Sequence, residues 1–317
     1  MLPDSETPAI FRIRLHGRGG QGMKTASRIL GTAFFLEGFQ VQDAPRYGAE
    51  RRGAPIFAFV RASLAPVSER GMIHNPDLVI IADETLVAVP PADVLHGVNG
   101  RTVVLVHSEE PREIWKERLP SAGMVLTLAI GAEVEDTHKV RFIGAVCAGA
   151  ASRLVGVISA SSLEQAIREE FSEFEESVIA SNLDMVLAAY DLMLPHAGCV
   201  VPGEAVSAAE YPKPDWVDPP FDKARISVPA VFAPITSELV RTGLWRTVRP
   251  VMDLSLCARC LLCGVYCPEG CITVDERGFP RIDYDHCKGC LICMAQCPSH
   301  AIMSKAEHGG GAEGGVK

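Results

Sequence analysis

The sequence lacks the segments that would place a protein in or across a membrane. No uninterrupted apolar run approaches the roughly 18 residues of a membrane span. The first ten residues, MLPDSETPAI, lack the basic start and the apolar core of a signal peptide. A basic excess is also missing, because 30 Lys and Arg stand against 39 Asp and Glu, which gives a formal net charge of −9. We therefore expect a soluble, cytoplasmic protein with no membrane and no nucleic-acid partner.

Cysteines are plentiful, but their placement argues against disulfides. Of the 11 cysteines, nine lie between Cys257 and Cys297. A disulfide framework is typical of small secreted chains, and no export signal accompanies these residues. Metal binding is the better explanation.

The first two hundred residues alternate between strand-like and helix-like segments. At 317 residues and 48% hydrophobic, the chain can bury the core of one large and one smaller domain. The strand candidates are IFRIRLH, FQVQDA, IFAFVRA, DLVIIAD, TVVLVH and MVLTLAI. The helix candidates are KTASRILGTAFFLEG, VRFIGAVCAGAASRLV, SLEQAIREEF and ESVIASNLDMVLAAYDLM. This pattern predicts an α/β domain over residues 1–200, with a mainly parallel, doubly wound sheet covered on both faces.

The pattern stops near residue 200. Residues 201–241 are too rich in proline for a regular element. They form either a flexible tether or, as their scattered aromatic residues suggest, an extended arm held against a partner. Residues 242–305 are expected to form a small α+β domain, and the glycine-rich end, residues 306–317, is expected to be disordered.

A glycine loop follows the first predicted strand. HGRGGQGMKTAS, residues 16 to 27, contains Gly17-x-Gly19-x-x-Gly22, and Asp43 lies near the position of a ribose-binding acid. These are the features of a dinucleotide-binding fingerprint, but such a short pattern is weak evidence. On the residues alone, NAD and another phosphate-bearing ligand stay equally open.

One cysteine unit occurs twice near the C-terminus. CARCLLCGVYCPEGCI (257 to 272) and CKGCLICMAQCPSHAI (287 to 302) align at an offset of 30, and each reads C-x2-C-x2-C-x3-C-P. The spacing is typical of a bacterial two-cluster ferredoxin, in which three close thiolates hold one [4Fe–4S] cubane and the fourth binds the other. Zinc would need only two C-x2-C pairs.

The repeat predicts two sets of ligands. The first cluster is assigned to Cys257, Cys260, Cys263 and Cys297. The second is assigned to Cys287, Cys290, Cys293 and Cys267. Three cysteines remain, and Cys147, Cys199 and Cys271 are expected to be small buried apolar side chains.

Two stretches resemble components of one enzyme family. TGLWRTVRPVMDLSLCARCLLCGVYCP resembles the start of the delta, ferredoxin-like component of the 2-oxoacid:ferredoxin oxidoreductases, which include pyruvate:ferredoxin oxidoreductase. RLHGRGGQGMKTASRIL and QDAPRYGAERRGAPIFAFVR look like the gamma component of the same enzymes. The resemblance spans nearly the whole chain and implies a fused gamma-delta subunit.

The resemblance also implies a division of labour. The family oxidatively decarboxylates a 2-oxoacid on thiamine diphosphate and Mg held by alpha and beta subunits, passing the acyl group to coenzyme A and the electrons to ferredoxin. This chain has no thiamine motif, so it would relay electrons and contribute to the coenzyme A site. The residues implied for that site are Gly17, Gly19, Gly20, Gly22, Arg51 and Arg52. Asp43 then needs no ribose role.

Two other functions compete with this one. A free-standing electron carrier would use the α/β domain only for docking. A nicotinamide-dependent reductase would need a flavin to convert a hydride into single electrons, and no convincing flavin site is present. Among substrates pyruvate is the commonest case, and 2-oxoglutarate and oxalate are the alternatives.

Overall fold

A computed structural model describes residues 9–46, 53–129, 143–204 and 241–307. The chain divides into two compact units, Met1–Tyr211 and Pro212–Lys317, and each is described by itself. Three features predicted from the sequence lie outside the described residues. They are the pair Arg51 and Arg52, the proline-rich segment from 205 to 240, and the tail from 308 onward.

A seven-stranded sheet organises the first unit. Its order is β2-β3-β1-β4-β5-β6, and β7 pairs with β1. The strands are β1 (Ala9–Arg18), β2 (Gln40–Arg46), β3 (Pro55–Ser63), β4 (Leu78–Ile81), β5 (Val103–His107), β6 (Met124–Leu128) and β7 (Gly203–Glu204). Strands β4, β5 and β6 run parallel to β1, whereas β3 and β7 run antiparallel to it. The predicted mainly parallel sheet is confirmed, and β3 and β7 are the exceptions, with β3 paired to β2 as well in antiparallel fashion.

Helices cover this sheet on both faces. They are α1 (Met23–Leu36), α2 (Arg112–Arg118), α3 (Ile143–Val155), α4 (Ala160–Glu170) and α5 (Glu176–Leu192). The predicted helices α1, α3, α4 and α5 pack on one face, and α2, which the sequence pattern did not reveal, packs on the other. Within the described ranges, no helix is long and apolar enough to span a membrane.

The central strands supply apolar side chains to both layers. In β4 and β5, Ile80 and Leu105 belong to the large core under α1 and α3, and their neighbours Val79 and Val104 belong to a smaller core with Trp115 of α2. All are at most 3% exposed. Burying each such side chain contributes about 1.5–3 kcal/mol, so the central strands anchor both layers.

Helix α3 approaches its neighbours more closely than side chains would permit. A Cβ atom on Gly144 would lie 2.4 Å from the Gly22 carbonyl oxygen, and one on Gly149 would lie 2.4 Å from the Val186 carbonyl oxygen. The Gly144 amide also donates to the Gln21 carbonyl at 3.1 Å. Backbone therefore packs on backbone at both positions, and α3 lies directly against the glycine loop.

The second unit repeats one small motif. Its elements are β8 (Val248–Met252), α6 (Leu262–Val265), β9 (Ile272–Val274), β10 (Pro280–Ile282), α7 (Ile292–Ala295) and β11 (Ile302–Ala306). Strand β8 pairs with β11, and β9 pairs with β10, both antiparallel. Ordered structure extends past the predicted boundary at residue 305, because Ala306 ends β11 and the Glu307 carboxylate pairs with the buried Arg246 at 2.6 Å.

Candidate functional site

The duplicated sequence produces duplicated backbone around the cysteines. Leu261 and Leu291 each precede a four-residue helix with a positive φ of 59°. The third cysteine of each run, Cys263 or Cys293, lies within that helix and is buried. A tight left-handed turn therefore stands at the same place before the third cysteine of each run.

Four of the predicted ligands line one cavity. Cys287, Cys290 and Cys293 come from the second run and Cys267 comes from the first. This is the set assigned to the second cluster, including the cysteine that crosses from the other repeat. Among the described residues, no group of three or more His, Cys, Asp or Glu side chains forms a site for a single metal ion. Four thiols that line one cavity are the donor set that a [4Fe–4S] cluster takes.

Cys271 lines the same cavity, a placement that the sequence analysis did not predict. It is buried, as predicted, at 6% exposed. Its sulfur lies 3.5 Å from the Cys267 sulfur, and it lines the cavity together with the four predicted ligands. Its thiol also hydrogen bonds to Cys287, and that bond lowers the pKa of Cys287.

Basic side chains surround the second cysteine run. Arg246 donates to the Cys287 carbonyl at 3.0 Å, and the Lys288 ammonium pairs with Glu269 at 2.8 Å. Lys288 also lies 5.0 Å above the ring of Trp245. Each cation is paired with a carboxylate, Arg246 with Glu307 and Lys288 with Glu269, so the charges near this run are balanced within the unit.

The glycine loop lies at the C-terminal end of β1, beside β4. After β1 the chain passes through α1 to β2 and β3, which lie on one side of β1, and then reaches β4 on the other side. Ligands of open α/β sheets bind at such a switch point. Gly20 and Gly22 have positive φ values of 100° and 77° and form the turn. Gly17 lies within β1, where a Cβ would meet Met23 at 2.8 Å, and the Gly19 amide donates to Ala54 at 2.8 Å. Gly20 and Gly22 therefore shape the turn between β1 and α1, whereas Gly17 and Gly19 are held by contacts with Met23 and Ala54.

Asp83 joins both sides of this switch point. Its carboxylate accepts from Arg18 Nε at 3.0 Å and from the Gln21 side-chain amide at 3.1 Å. The Arg18 guanidinium also donates to the Thr85 hydroxyl at 2.6 Å. The Arg18 side chain is 3% exposed and that of Asp83 is 10% exposed. The position of the loop thus depends on a buried ion pair.

Replacing Arg18 with methionine should destabilise the first unit by about 3–5 kcal/mol. The substitution keeps the apolar stem but leaves the Asp83 carboxylate buried without its cation, and breaking one partner of a buried pair costs about this much. Urea unfolding followed by far-UV circular dichroism measures the effect.

Two further variants make this measurement specific. Arg168→Met, on the exposed surface of α4, should change the unfolding free energy by less than about 0.5 kcal/mol. The double variant Arg18→Met with Asp83→Asn should recover part of the loss, because no unpaired charge remains. Stability of Arg18→Met equal to the wild type would contradict the ion-pair argument.

The second face of β1 carries a buried polar row that the sequence analysis did not identify. Arg12 donates to Glu69 at 3.0 Å, and Arg14 donates to the Val94 carbonyl at 2.8 Å. Burial, together with the nearby Arg14 guanidinium, lowers the pKa of His16 to about 3. His16 is therefore neutral at physiological pH. The alternation of apolar and polar residues in IFRIRLH predicts a strand with a polar face, but it does not distinguish a polar face in solvent from one that is buried.

Asp43 does not adopt the position of a ribose-binding acid. It lies in β2, which β3 separates from β1, and its carboxylate is 3.5 Å from the Ser27 hydroxyl of α1. Asn182 is buried in α5 and donates to the Val178 carbonyl at 2.7 Å, which is a helix-packing role. These placements weigh against the dinucleotide interpretation of the loop.

The two cysteines of the first unit are structural. Cys147 is fully buried in α3, and burial raises its pKa to about 12. Cys199 is half-buried and packs against the large core, and burial also raises its pKa. A thiol held in its protonated form is a poor nucleophile. Cys147 is therefore the small buried side chain that the sequence predicted, whereas Cys199 is only partly buried.

Known proteins resemble both parts of the chain. The family model described as pyruvate ferredoxin/flavodoxin oxidoreductase matches residues 12–192, and a 4Fe-4S binding domain model matches residues 280–303. The gamma subunit common to the pyruvate/ketoisovalerate oxidoreductases of Pyrococcus furiosus is 34% identical over 51% of this chain and 88% of its own length. Pyruvate synthase subunit PorC of Methanosarcina barkeri is 37% identical over 49% of this chain and 84% of its own.

A solved structure is also similar to the chain. The pyruvate oxidoreductase subunit PORC from Thermotoga maritima aligns with a TM-score of 0.48 and 29% identity, over 58% of this chain and 96% of that chain. The family assignment rests on the match to residues 12–192, which is more than half of the chain. By that match, the chain belongs to the pyruvate ferredoxin/flavodoxin oxidoreductase family.

Proposed function

We propose that this chain is a fused gamma-delta subunit of a 2-oxoacid:ferredoxin oxidoreductase, with pyruvate as its substrate. The observation that carries the proposal is one chain with a gamma-type α/β unit and a second unit in which both cysteine repeats contribute to one cavity. The relatives are named as subunits of pyruvate or ketoisovalerate enzymes. Alpha and beta subunits would hold the thiamine diphosphate and Mg on which the 2-oxoacid reacts.

The second unit would serve as the electron relay. Its eight thiolates would hold two [4Fe–4S] clusters, which supply one-electron storage and transfer when bound. The chain's own residues set the conditions for that transfer. Two ion pairs, Arg246 with Glu307 and Lys288 with Glu269, lie beside the second run and would direct N–H donors toward it, and Cys267 would link the first run to the second cluster. Ferredoxin would be the final acceptor.

The first unit would contribute to the binding of coenzyme A. The phosphates of coenzyme A need N–H donors and cations, and the glycine loop ends at the N-terminus of the 14-residue helix α1. No side chain caps that end at Gly22, and the first turn carries no acid. Arg51 and Arg52, which follow β2 in the sequence, would complete the site as planar cations.

Replacing Arg51 and Arg52 together with alanine tests this role. Charge-assisted hydrogen bonds contribute about 1.5–3 kcal/mol each, so the apparent KM for coenzyme A should rise at least about tenfold. The KM for the 2-oxoacid and the visible spectrum of the clusters should stay unchanged, because the substitution touches neither site. Steady-state ferredoxin reduction by the assembled enzyme measures both constants.

A matched control removes the same charge elsewhere. Arg118→Ala with Arg168→Ala deletes two exposed guanidiniums on α2 and α4, and it should leave the KM for coenzyme A unchanged. If both double variants raise this KM equally, the effect is one of net charge. If neither raises it, the arginines do not bind coenzyme A.

A further inference from the structure

The two cysteine repeats differ at one position that faces the cluster site. Cys271 follows Cys267 by four residues, and the equivalent position after Cys297 is Ala301. Both are buried, at 6% and 1% exposed. The second site therefore contains a fifth thiol where the first site has only a methyl group.

The Cys271 sulfur lies close to the Cys267 sulfur, which is one of the four predicted ligands of the second cluster. The two sulfur atoms are 3.5 Å apart, and Cys271 lines the same cavity as the four predicted ligands. At the other site, the atoms that approach the Cys297 sulfur are the Ala301 amide nitrogen, at 3.3 Å, and the Ser299 hydroxyl oxygen, at 3.6 Å, and neither is a thiol. An amide can donate a hydrogen bond to a ligand, but it cannot replace one.

The backbone before Cys271 has room to adjust. Gly270 has a positive φ of 62°, and no atom lies within 4 Å of the place where its Cβ would be. At the matching position of the other repeat, His300 holds a positive φ of 50° despite its side chain. Glycine at position 270 therefore leaves the backbone next to Cys271 without a side chain to restrict it, although the Cys271 carbonyl accepts a hydrogen bond from the Asp283 amide at 2.8 Å.

We propose that Cys271 is a reserve ligand of the second cluster and binds the iron atom of Cys267 when that thiolate is lost. In this exchange the bond between iron and the Cys267 sulfur breaks, and a bond between iron and the Cys271 sulfur forms. The thiol proton of Cys271 passes to the departing thiolate, or to water where residue 267 is not a cysteine. No electron is transferred. The inference rests on the proposed cluster assignment.

The duplicated repeat supplies a matched test in the full-length chain, reconstituted with iron and sulfide without oxygen. Cys267→Ala should keep about eight irons, because Cys271 replaces the lost ligand, whereas Cys297→Ala should keep about four or convert one cluster to a three-iron form. The double variant Cys267→Ala with Cys271→Ala should lose iron as Cys297→Ala does. Iron analysis and electron paramagnetic resonance of the oxidised and reduced protein measure these outcomes.

The reciprocal variant tests whether position alone is sufficient. Cys297→Ala with Ala301→Cys should recover the iron that Cys297→Ala loses. Far-UV circular dichroism should be the same in all variants and verifies that the first unit is folded, because most of the helix lies there. The cluster retained at the unaltered site verifies that the second unit is folded.

Two outcomes would overturn the proposal and can be told apart. Equal iron loss in Cys267→Ala and Cys297→Ala, with about eight irons in the wild type, would refute the reserve ligand alone. A wild type with about four irons would refute the cluster assignment and the reserve ligand with it.

Discussion

Purified alone and loaded with iron, the chain should release no carbon dioxide from pyruvate, even with thiamine diphosphate, Mg and coenzyme A present. It should also reduce no ferredoxin under these conditions. Addition of separately purified alpha and beta subunits should restore both reactions. The reason is chemical, because decarboxylation of a 2-oxoacid needs the electron sink that thiamine diphosphate provides, and the sequence has no motif for it.

The control for this result is the redox competence of the chain itself. The isolated chain should still accept electrons from dithionite, with bleaching of its visible absorption, so that inactivity cannot be blamed on missing clusters. Carbon dioxide release by the pure chain would contradict our assignment of the decarboxylation step to the alpha and beta subunits. Failure to associate with alpha and beta subunits would favour the free-standing electron carrier.

Loss of one ligand should remove half of the metal. Cys260→Ser should lower the iron content from about eight to about four per chain, or convert the first cluster to a three-iron form. Cys260 is the second cysteine of its run and is exposed, and the first site has no spare thiol because residue 301 is alanine. Ferredoxin reduction by the assembled enzyme should fall with the iron, since the relay is interrupted.

Cys271→Ser is the comparison for this variant. It removes a buried cysteine from the same unit but leaves all eight predicted ligands in place, so the iron content should equal that of the wild type. Iron loss in Cys271→Ser, or full iron content in Cys260→Ser, would contradict the ligand assignment. Iron and sulfide analysis of the reconstituted proteins decides between these outcomes.

Local patterns predicted the regular parts of the fold well. The apolar runs around Leu105 and Ile80 were identified as strands because a strand buried on both faces leaves a continuous apolar run. The cysteine repeat predicted a 4Fe-4S binding domain, which the family match to residues 280–303 confirms, while the number of clusters stays a prediction. In both cases the information lies in a local pattern of residue types.

Features that depend on distant partners escaped prediction. The burial of Arg12 depends on Glu69, which is 57 residues away, and the position of Arg18 depends on Asp83. The contact between Cys267 and Cys271 is close in sequence, but it was missed because a cysteine outside the repeat is usually a simple buried side chain. Helix α2 was missed because only seven residues form it.

The close approach of α3 to its neighbours limits how this family member can evolve. Glycine within a helix costs about 1 kcal/mol relative to alanine, so selection for helix stability alone would replace Gly144 and Gly149. Alanine at either position would bring a methyl group to within 2.4 Å of a carbonyl oxygen. A larger residue at position 144 therefore requires the glycine loop to shift, and one at position 149 requires α5 to shift. We expect the two glycines to change in evolution only together with these neighbouring segments.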